Sequence, residues 1–491
     1  MLTKYAALTI YFVILFGIGV LASRRIQSLQ DYYVGGKKLG YWIAAFSARA
    51  TGESGWLILG VTGMGAMMGV SAFWVVLGEV LGVYISWQFM AKKFKRLTDE
   101  YEAITIPDYL VGRFGSTTNN LRTVAAIVLS VFVIIYVSAQ IDITGKTFET
   151  FLGINYYTGA IVGFTIVLTY IFTGGFIAVA WSDFFQGSMM FGGLVLLPLV
   201  TVLMIDFPDG IFSKLEMIDP GLLSLWGPAG LTAVNVATII GLATIGLGFM
   251  GSPQVYVRFI AIRNEQEIQK GKWVAVIFTL LTDSAAVFIG ILGRVLFTGI
   301  GDIPETIFGV GAEKVLPVLV ETIMPMALVG LYIGVILAAV MSTIDSLLVV
   351  ASSAVTRDLY QKVLGKGGND VKLTSVSRLT TVFMALLALG LSMTVALLSP
   401  DRTIFWFAIF GWSGIASTFC PTIILSLFWK GFTEKGAIAA MIGGFVTVPL
   451  TKFVLANLDT YGIYFDKIDV MAPAFIVGLV AGYIGSKIDS R

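Results

Sequence analysis

Histidine is missing from this 491-residue chain, and cysteine occurs once, at Cys420. Without imidazole there is no histidine metal centre, proton relay or catalytic triad, and a lone thiol cannot close an internal disulfide. The HExxH and GxSxG signatures are absent too, which leaves an enzymatic reading without a motif. Charge is scarce. Asp, Glu, Lys and Arg make up 13% of residues and sum to +2, so nothing in the balance points to a nucleic acid or another polyionic partner. Also lacking is any polar stretch long enough to fold as a separate soluble domain.

What is present is apolar. With 57% hydrophobic residues and a mean hydropathy of +0.89, the chain is too apolar for a soluble protein of this length. Segments of about twenty apolar residues, enough to cross roughly 30 Å of hydrocarbon, recur from end to end. The reading is an all-α polytopic membrane protein with a single transmembrane domain over 1–491.

Hydropathy and breaker residues suggest about thirteen spans, near 6–23, 41–68, 73–91, 121–146, 156–174, 182–203, 233–252, 274–298, 322–352, 376–398, 403–428, 435–456 and 468–486. Arg24 and Arg25 follow the first span, and no small-residue cleavage site does, so it reads as a retained helix. Positive residues cluster in every second loop: Arg24/Arg25/Lys37/Lys38, Lys92/Lys93/Lys95/Arg96, Arg258/Arg263/Lys270/Lys272, Arg357/Lys362/Lys366/Lys372 and Lys430/Lys435. Those loops are expected in the cytoplasm, with the N-terminus outside and the C-terminus inside. The alternate loops lean acidic, as at Asp206, Asp209, Glu216 and Asp219.

Two spans are interrupted. The stretch from Ser47 to Trp56 carries Arg49, Glu53, Gly52 and Gly55 among hydroxyl residues where a span should be apolar. Such a segment survives only against protein or a wet cavity. Gly246, Gly248 and Gly251 precede Pro253 in the second, where proline cannot continue the ladder of a preceding helix. Five spans separate the breaks, an odd number that places two five-helix units, 41–203 and 233–428, in opposite orientation. Paired interruptions of this kind mark a secondary transporter's site. The first span would then be peripheral, and 435–486 would hold two C-terminal helices.

In the first break, freed carbonyls and the hydroxyls of Ser47, Thr51 and Ser54 can replace the hydration shell of a small hard cation such as sodium. Close helix packing with hydroxyls bonded back to their own helix is the alternative. In the ninth span Ser342, Asp345 and Ser346 fall at i, i+3, i+4 and line one face, a cation site or else a polar helix contact. Further intramembrane charges are Glu79, Asp142, Lys146, Asp183 and Asp283. Arg49 and Glu53 can pair at i, i+4, as can Asp142 and Lys146. For Asp183, a helix-start role competes with ion handling. Trp56, Tyr136 and Phe249 lie near mid-span beside the polar segments.

Several segments together resemble one family. They are Asp31-Tyr32-Tyr33-Val34-Gly35-Gly36-Lys37-Lys38-Leu39-Gly40, Ser54-Gly55-Trp56-Leu57, Ile106-Pro107-Asp108-Tyr109-Leu110, Thr173-Gly174-Gly175-Phe176-Ile177-Ala178-Val179, Ala338-Ala339-Val340-Met341-Ser342-Thr343 and Ser352-Ser353-Ala354-Val355-Thr356-Arg357-Asp358-Leu359-Tyr360. From about residue 8 onward the chain resembles the sodium/solute symporter family, and within it the sodium/proline symporters. The resemblance implies a leucine-transporter-type 5+5 inverted repeat of thirteen helices. It implies a sodium site made by carbonyls of Ala50, Glu53 and Ala339 with hydroxyls of Ser342 and Thr343. A second cation site of some relatives would match Asp183, Ser342, Asp345 and Ser346. Solute would lie near Ser54, Trp56, Gly60, Tyr136, Phe249 and Pro253.

The chain departs from that pattern at the same place. Proline transporters have Asp-Met before Ser-Gly-Trp where this chain has Gly52-Glu53, and a shift of one residue turns a helical side chain by about 100°. A Trp and a Tyr expected at the second break are Ile245 and Phe249. The expected activity is import of a small organic solute, proline or a related amino acid, through the cell membrane on the sodium gradient. Proton coupling, motivated by Glu53 and Asp345, or a sugar or monocarboxylate as solute, are the alternatives within the class. A channel or membrane sensor is the alternative outside it, although a sensor would carry a soluble extension and the chain ends at Arg491 just after its last span.

Overall fold

The computed structural model describes residues 2–25 and 28–490, with side chains throughout except at Leu2 and at 170–174. Thr173 and Gly174 of the quoted motif therefore lie outside the described side chains. The regular elements are helical, and among the described residues the extended pairing is an isolated parallel bridge between Leu39 and Ile262. The helices that build the site and its frame are α1 (Leu2–Ser23), α2 (Tyr41–Gly55), α3 (Thr62–Met68), α4 (Phe73–Ile85), α5 (Asn120–Leu152), α6 (Tyr156–Met204) and α7 (Ala233–Thr244). They continue with α8 (Pro253–Ala261), α9 (Glu265–Phe297), α10 (Met326–Ser353), α11 (Asp370–Leu398), α12 (Ile404–Phe428), α13 (Glu434–Phe453) and α14 (Met471–Asp489).

Eleven described helices are long and apolar enough to cross a membrane, against the thirteen spans expected. The difference has two sources. The expected spans 41–68 and 73–91 fall inside one helical stretch, Tyr41–Glu100, and the span expected near 156–174 is represented by the shorter apolar helix Tyr156–Thr169. The chain passes from there into the next segment through a kink at Gly175 (φ 51, ψ −164), a backbone conformation that glycine reaches without a Cβ clash.

Caps set the helix starts as side-chain chemistry requires. Thr232, Asn264, Thr403 and Thr433 each accept from a backbone N–H in the first turn of α7, α9, α12 and α13. The second break is where composition places it: Ile245–Met250 is 3₁₀-helical, and Pro253 sits in the first turn of α8, where its missing N–H costs nothing.

Burial separates centre from rim. The most apolar windows of Met326–Val363 and Ile404–Phe428 are 83% buried, against 28% for the first helix and 33% for α11. The centre is thus α10, which packs against α1, α2, α5 and α6, with α12 against the second break. α13 and α14 pack mainly on each other and on α12.

Candidate functional site

The first break opens at Ser54, a non-glycine residue held at φ 46 and ψ −170. Such a conformation costs about 1–3 kcal/mol and persists only where its surroundings over-determine it. Here α5 supplies the constraint. Tyr136 donates its hydroxyl to Ser54 Oγ at 3.2 Å, Gln140 Nε2 donates at 3.4 Å, and Gly55 N donates to Gln140 Oε1 at 3.3 Å. The chain then runs as a π-helix from Trp56 to Val61 before α3.

Across from this break, two hydroxyls of α10 meet carbonyls of α2. Ser342 Oγ donates to Ala50 O at 3.0 Å and Ala339 O at 3.1 Å; Thr343 Oγ1 donates to Thr51 O at 3.1 Å and Ala339 O at 3.0 Å. The structure thus brings Ala50, Ala339, Ser342 and Thr343 together. Neither hydroxyl bonds to the Glu53 carbonyl, which accepts from Trp56 N–H in the distorted end of α2. The Thr51 carbonyl, missing from the sequence-based set, comes to Thr343 instead. The result is a buried group of neutral oxygens with no carboxylate among them, a donor set that suits a hard monovalent cation.

The second expected cation position differs. Asp183 Oδ2 accepts from Ser47 Oγ at 2.6 Å and from Arg258 Nη2 at 2.7 Å. The same nitrogen donates to Thr51 Oγ1 at 2.8 Å and to Ser346 Oγ, while Nε donates to Ser47 Oγ at 3.0 Å. Asp345 neighbours the group through a 3.3 Å bond from Ser346 Oγ. Ser342 is turned away, toward Ala50 and Ala339. Two expectations need correction. Arg258 is no loop residue: it lies on α8, fully buried, because a broken helix needs more residues to cross than a straight one and the span runs on past 252. Asp183 is no helix-start residue either, since the helix resumes at Gly175, two turns earlier.

A second charged group sits on the other side of α2. Arg49 Nη2 pairs with Glu53 at 2.6 Å, as the i, i+4 spacing implies, and with Glu79 of α4 at 3.2 Å. Thr282 of α9 donates to Glu53 Oε2 and Asp283 Oδ1, each at 3.2 Å. All four charged side chains are buried. The Phe249 ring covers the guanidinium at 4.2 Å. Its edge also takes the space that any Cβ at Gly52 would enter, so an aspartate at 52 and this placement of Phe249 exclude each other. On the outer side of α5, Asp142 contacts Lys146 at 3.8 Å as expected, but its stronger partners are Arg402 and the Tyr156 hydroxyl at 2.6 Å.

Of the expected solute residues, Ser54 and Tyr136 touch directly, and Phe249 joins them through Trp412, whose ring lies 4.9 Å from Phe249 and 6.3 Å from Tyr136. Trp56 meets Phe405 edge-on at 5.9 Å, and Gly60 packs under the same Phe405. Pro253 is buried in the first turn of α8, and no ring contact or hydrogen bond joins it to the other five. Gln140, Phe405 and Trp412 were not singled out from the sequence. With Trp and Tyr expected at both interfaces, only the fold shows which aromatics turn inward. Trp412 donates Nε1 to Ile245 O at 3.1 Å, and so supplies the indole that the second break lacks. The buried Trp56 indole interacts with the Tyr136 hydroxyl.

The geometry defines a membrane protein with two broken helices meeting around a buried polar centre, and comparison with known proteins places it. The sodium:solute symporter family model matches residues 32–444, and the chain belongs to that family. It is 33% identical to the osmoregulated proline transporter OpuE of Bacillus subtilis, over 99% of this chain and 94% of that one. It is 32% identical to the sodium/proline symporter of Escherichia coli, over 96% of this chain and 91% of that one. Among solved structures, a substrate-bound, outward-open Na+-coupled sialic acid symporter superposes with a TM-score of 0.80 at 20% identity, covering 99% of this chain and 97% of that one. That likeness shows the shared leucine-transporter-type fold.

Proposed function

We propose that this chain is a sodium-coupled symporter that imports a small organic solute, proline or a related amino acid, by alternating access. One observation carries the reading. Ser342 and Thr343 of α10 converge on the Ala50, Thr51 and Ala339 carbonyls beside the first break, in a chain of the sodium:solute symporter family. A sodium ion held there would tie α2 to α10 and favour the substrate-competent state, and coupling needs only that ion and solute prefer the same conformation. Solute would sit near Ser54, Trp56, Tyr136 and Phe249, where the Tyr136 hydroxyl and the Trp56 indole supply polar contacts. No covalent step is required, and no residue is given a catalytic role.

Proline is favoured because curated relatives that match nearly the whole chain are proline transporters. The proposal extends to the topology. Units 41–203 and 233–428 form the inverted repeat, each beginning with a broken helix, and 435–486 adds two helices. The N-terminus faces out and the C-terminus the cytoplasm, an assignment that survives the loss of Arg258 from the loop charges because Arg263, Lys270 and Lys272 remain.

Proteoliposome uptake tests the function. Radiolabelled proline should accumulate under an inward sodium gradient, and Ser342→Ala with Thr343→Ala should abolish the stimulation. Uptake unchanged by the double substitution, or driven by a pH gradient in sodium-free buffer, would reject it.

A further inference from the structure

We infer that the second cation position of this chain is held permanently by the Arg258 guanidinium, so that the transporter binds one sodium ion and not two. This rests on the sodium reading of the Ser342/Thr343 site and adds to it the number of ions.

The argument begins with the chemistry of the occupant. Arginine presents five N–H donors in a rigid fork and stays protonated in proteins. At Arg258 that fork is spent on the groups a sodium ion would need: Ser47 Oγ, Thr51 Oγ1, Asp183 Oδ2 and Ser346 Oγ, with Nη1 turned to Gln254 O. Each of these hydroxyls already spends a lone pair on the guanidinium, and a metal sharing the same oxygens would sit beside that fixed positive charge. Asp183 Oδ1 is the one carboxylate oxygen of the pair without a hydrogen-bond partner, and a single oxygen is far from a coordination shell. Two members of the expected set remain: Ser342 is bonded to Ala50 O and Ala339 O and serves the other site, and Asp345 accepts from Ser346 Oγ at 3.3 Å.

Electrostatics points the same way. Arg258 and Asp183 are both fully buried, and the guanidinium also faces the Phe176 ring at 5.3 Å. A sodium ion entering beside it would meet a like charge at low dielectric, with Asp183 already neutralised. The arginine thus performs the structural part of a second ion: it joins α8 to α2, α6 and α10 through Ser47, Thr51, Asp183 and Ser346. Because it is covalently part of the chain, that charge never dissociates with the solute.

Equilibrium binding of radiolabelled sodium to the full-length protein in nanodiscs tests this. Wild type should bind one sodium per chain, and Ser342→Ala/Thr343→Ala should bind none. Arg258→Ala should bind two, with the second lost again on adding Asp183→Asn. The charge-neutral pair Asp183→Asn/Arg258→Met should keep the count at one, which preserves the test should Arg258→Ala fail to fold. Two sodium ions on wild type, one of them removed by Asp183→Asn or Asp345→Asn, would overturn the inference and leave the symporter reading intact. No sodium bound to folded wild type would overturn the sodium reading itself.

Discussion

Two polar positions lie side by side on α2 and are built on opposite plans. One faces α10 and consists of neutral oxygens: Ala50 O, Thr51 O, Ala339 O and the hydroxyls of Ser342 and Thr343. The other faces α6 and α8 and is a buried ion pair wrapped in hydroxyls. Thr51 belongs to both, since its carbonyl accepts from Thr343 at 3.1 Å and its hydroxyl from Arg258 at 2.8 Å. A neutral set holds an ion through dipoles and can release it. A buried pair is locked by the cost of stranding either charge. Polar density inside a span therefore does not by itself define an ion site; what already satisfies the oxygens decides.

The largest way to break this contrast is through the charged groups. Arg49→Met would leave Glu53, Glu79 and Asp283 without their shared cation, and a loss of at least about 3–5 kcal/mol is expected. Poor yield of folded protein, or a much lower midpoint of thermal unfolding in detergent, is the readout; a native-like midpoint would show that the cluster is not held by Arg49. Asp183→Asn strands Arg258 and should cost about 3–5 kcal/mol whether or not sodium is present. A penalty that appears only in sodium would instead make Asp183 an ion ligand.

Smaller effects sharpen the neutral side. Ser342→Ala/Thr343→Ala should lower sodium-free stability by only about 1 kcal/mol per hydroxyl while erasing all stabilisation by sodium, read from unfolding midpoints with and without the ion. Smallest of all, Tyr136→Phe removes one bond to Ser54 and should weaken solute binding by about 0.5–1.5 kcal/mol, less than roughly fifteenfold. Isothermal titration checks it, and an unchanged Kd would place the solute elsewhere.

Much of the frame was legible from the sequence because membranes make it so. Apolar runs, two interrupted spans and the Ser342-Thr343 pair stand out against hydrocarbon; the second break falls where glycine and proline put it, and the first opens at Ser54 within the polar stretch. The span total was less legible. A helical stretch such as Tyr41–Glu100 does not show where one crossing ends, and the Gly175 kink joins two segments without a loop. Partner choice was hidden for a different reason. Arg258 lies five residues past Pro253, and charge counting assigned it to the cytoplasm; only the fold brings it to Asp183, seventy-five positions away. Likewise, Gly52 and Phe249 read as two separate departures from the proline-transporter pattern, yet they are one packing arrangement.

The central claim is that a single sodium ion, bound at Ser342 and Thr343, is carried with each solute molecule. Simultaneous measurement of radiolabelled sodium and proline fluxes in the same proteoliposomes tests it most directly. One sodium per proline, with both fluxes lost in Ser342→Ala/Thr343→Ala, is the predicted result. Sodium flux that ignores the solute, or proline uptake that proceeds without sodium, would contradict it.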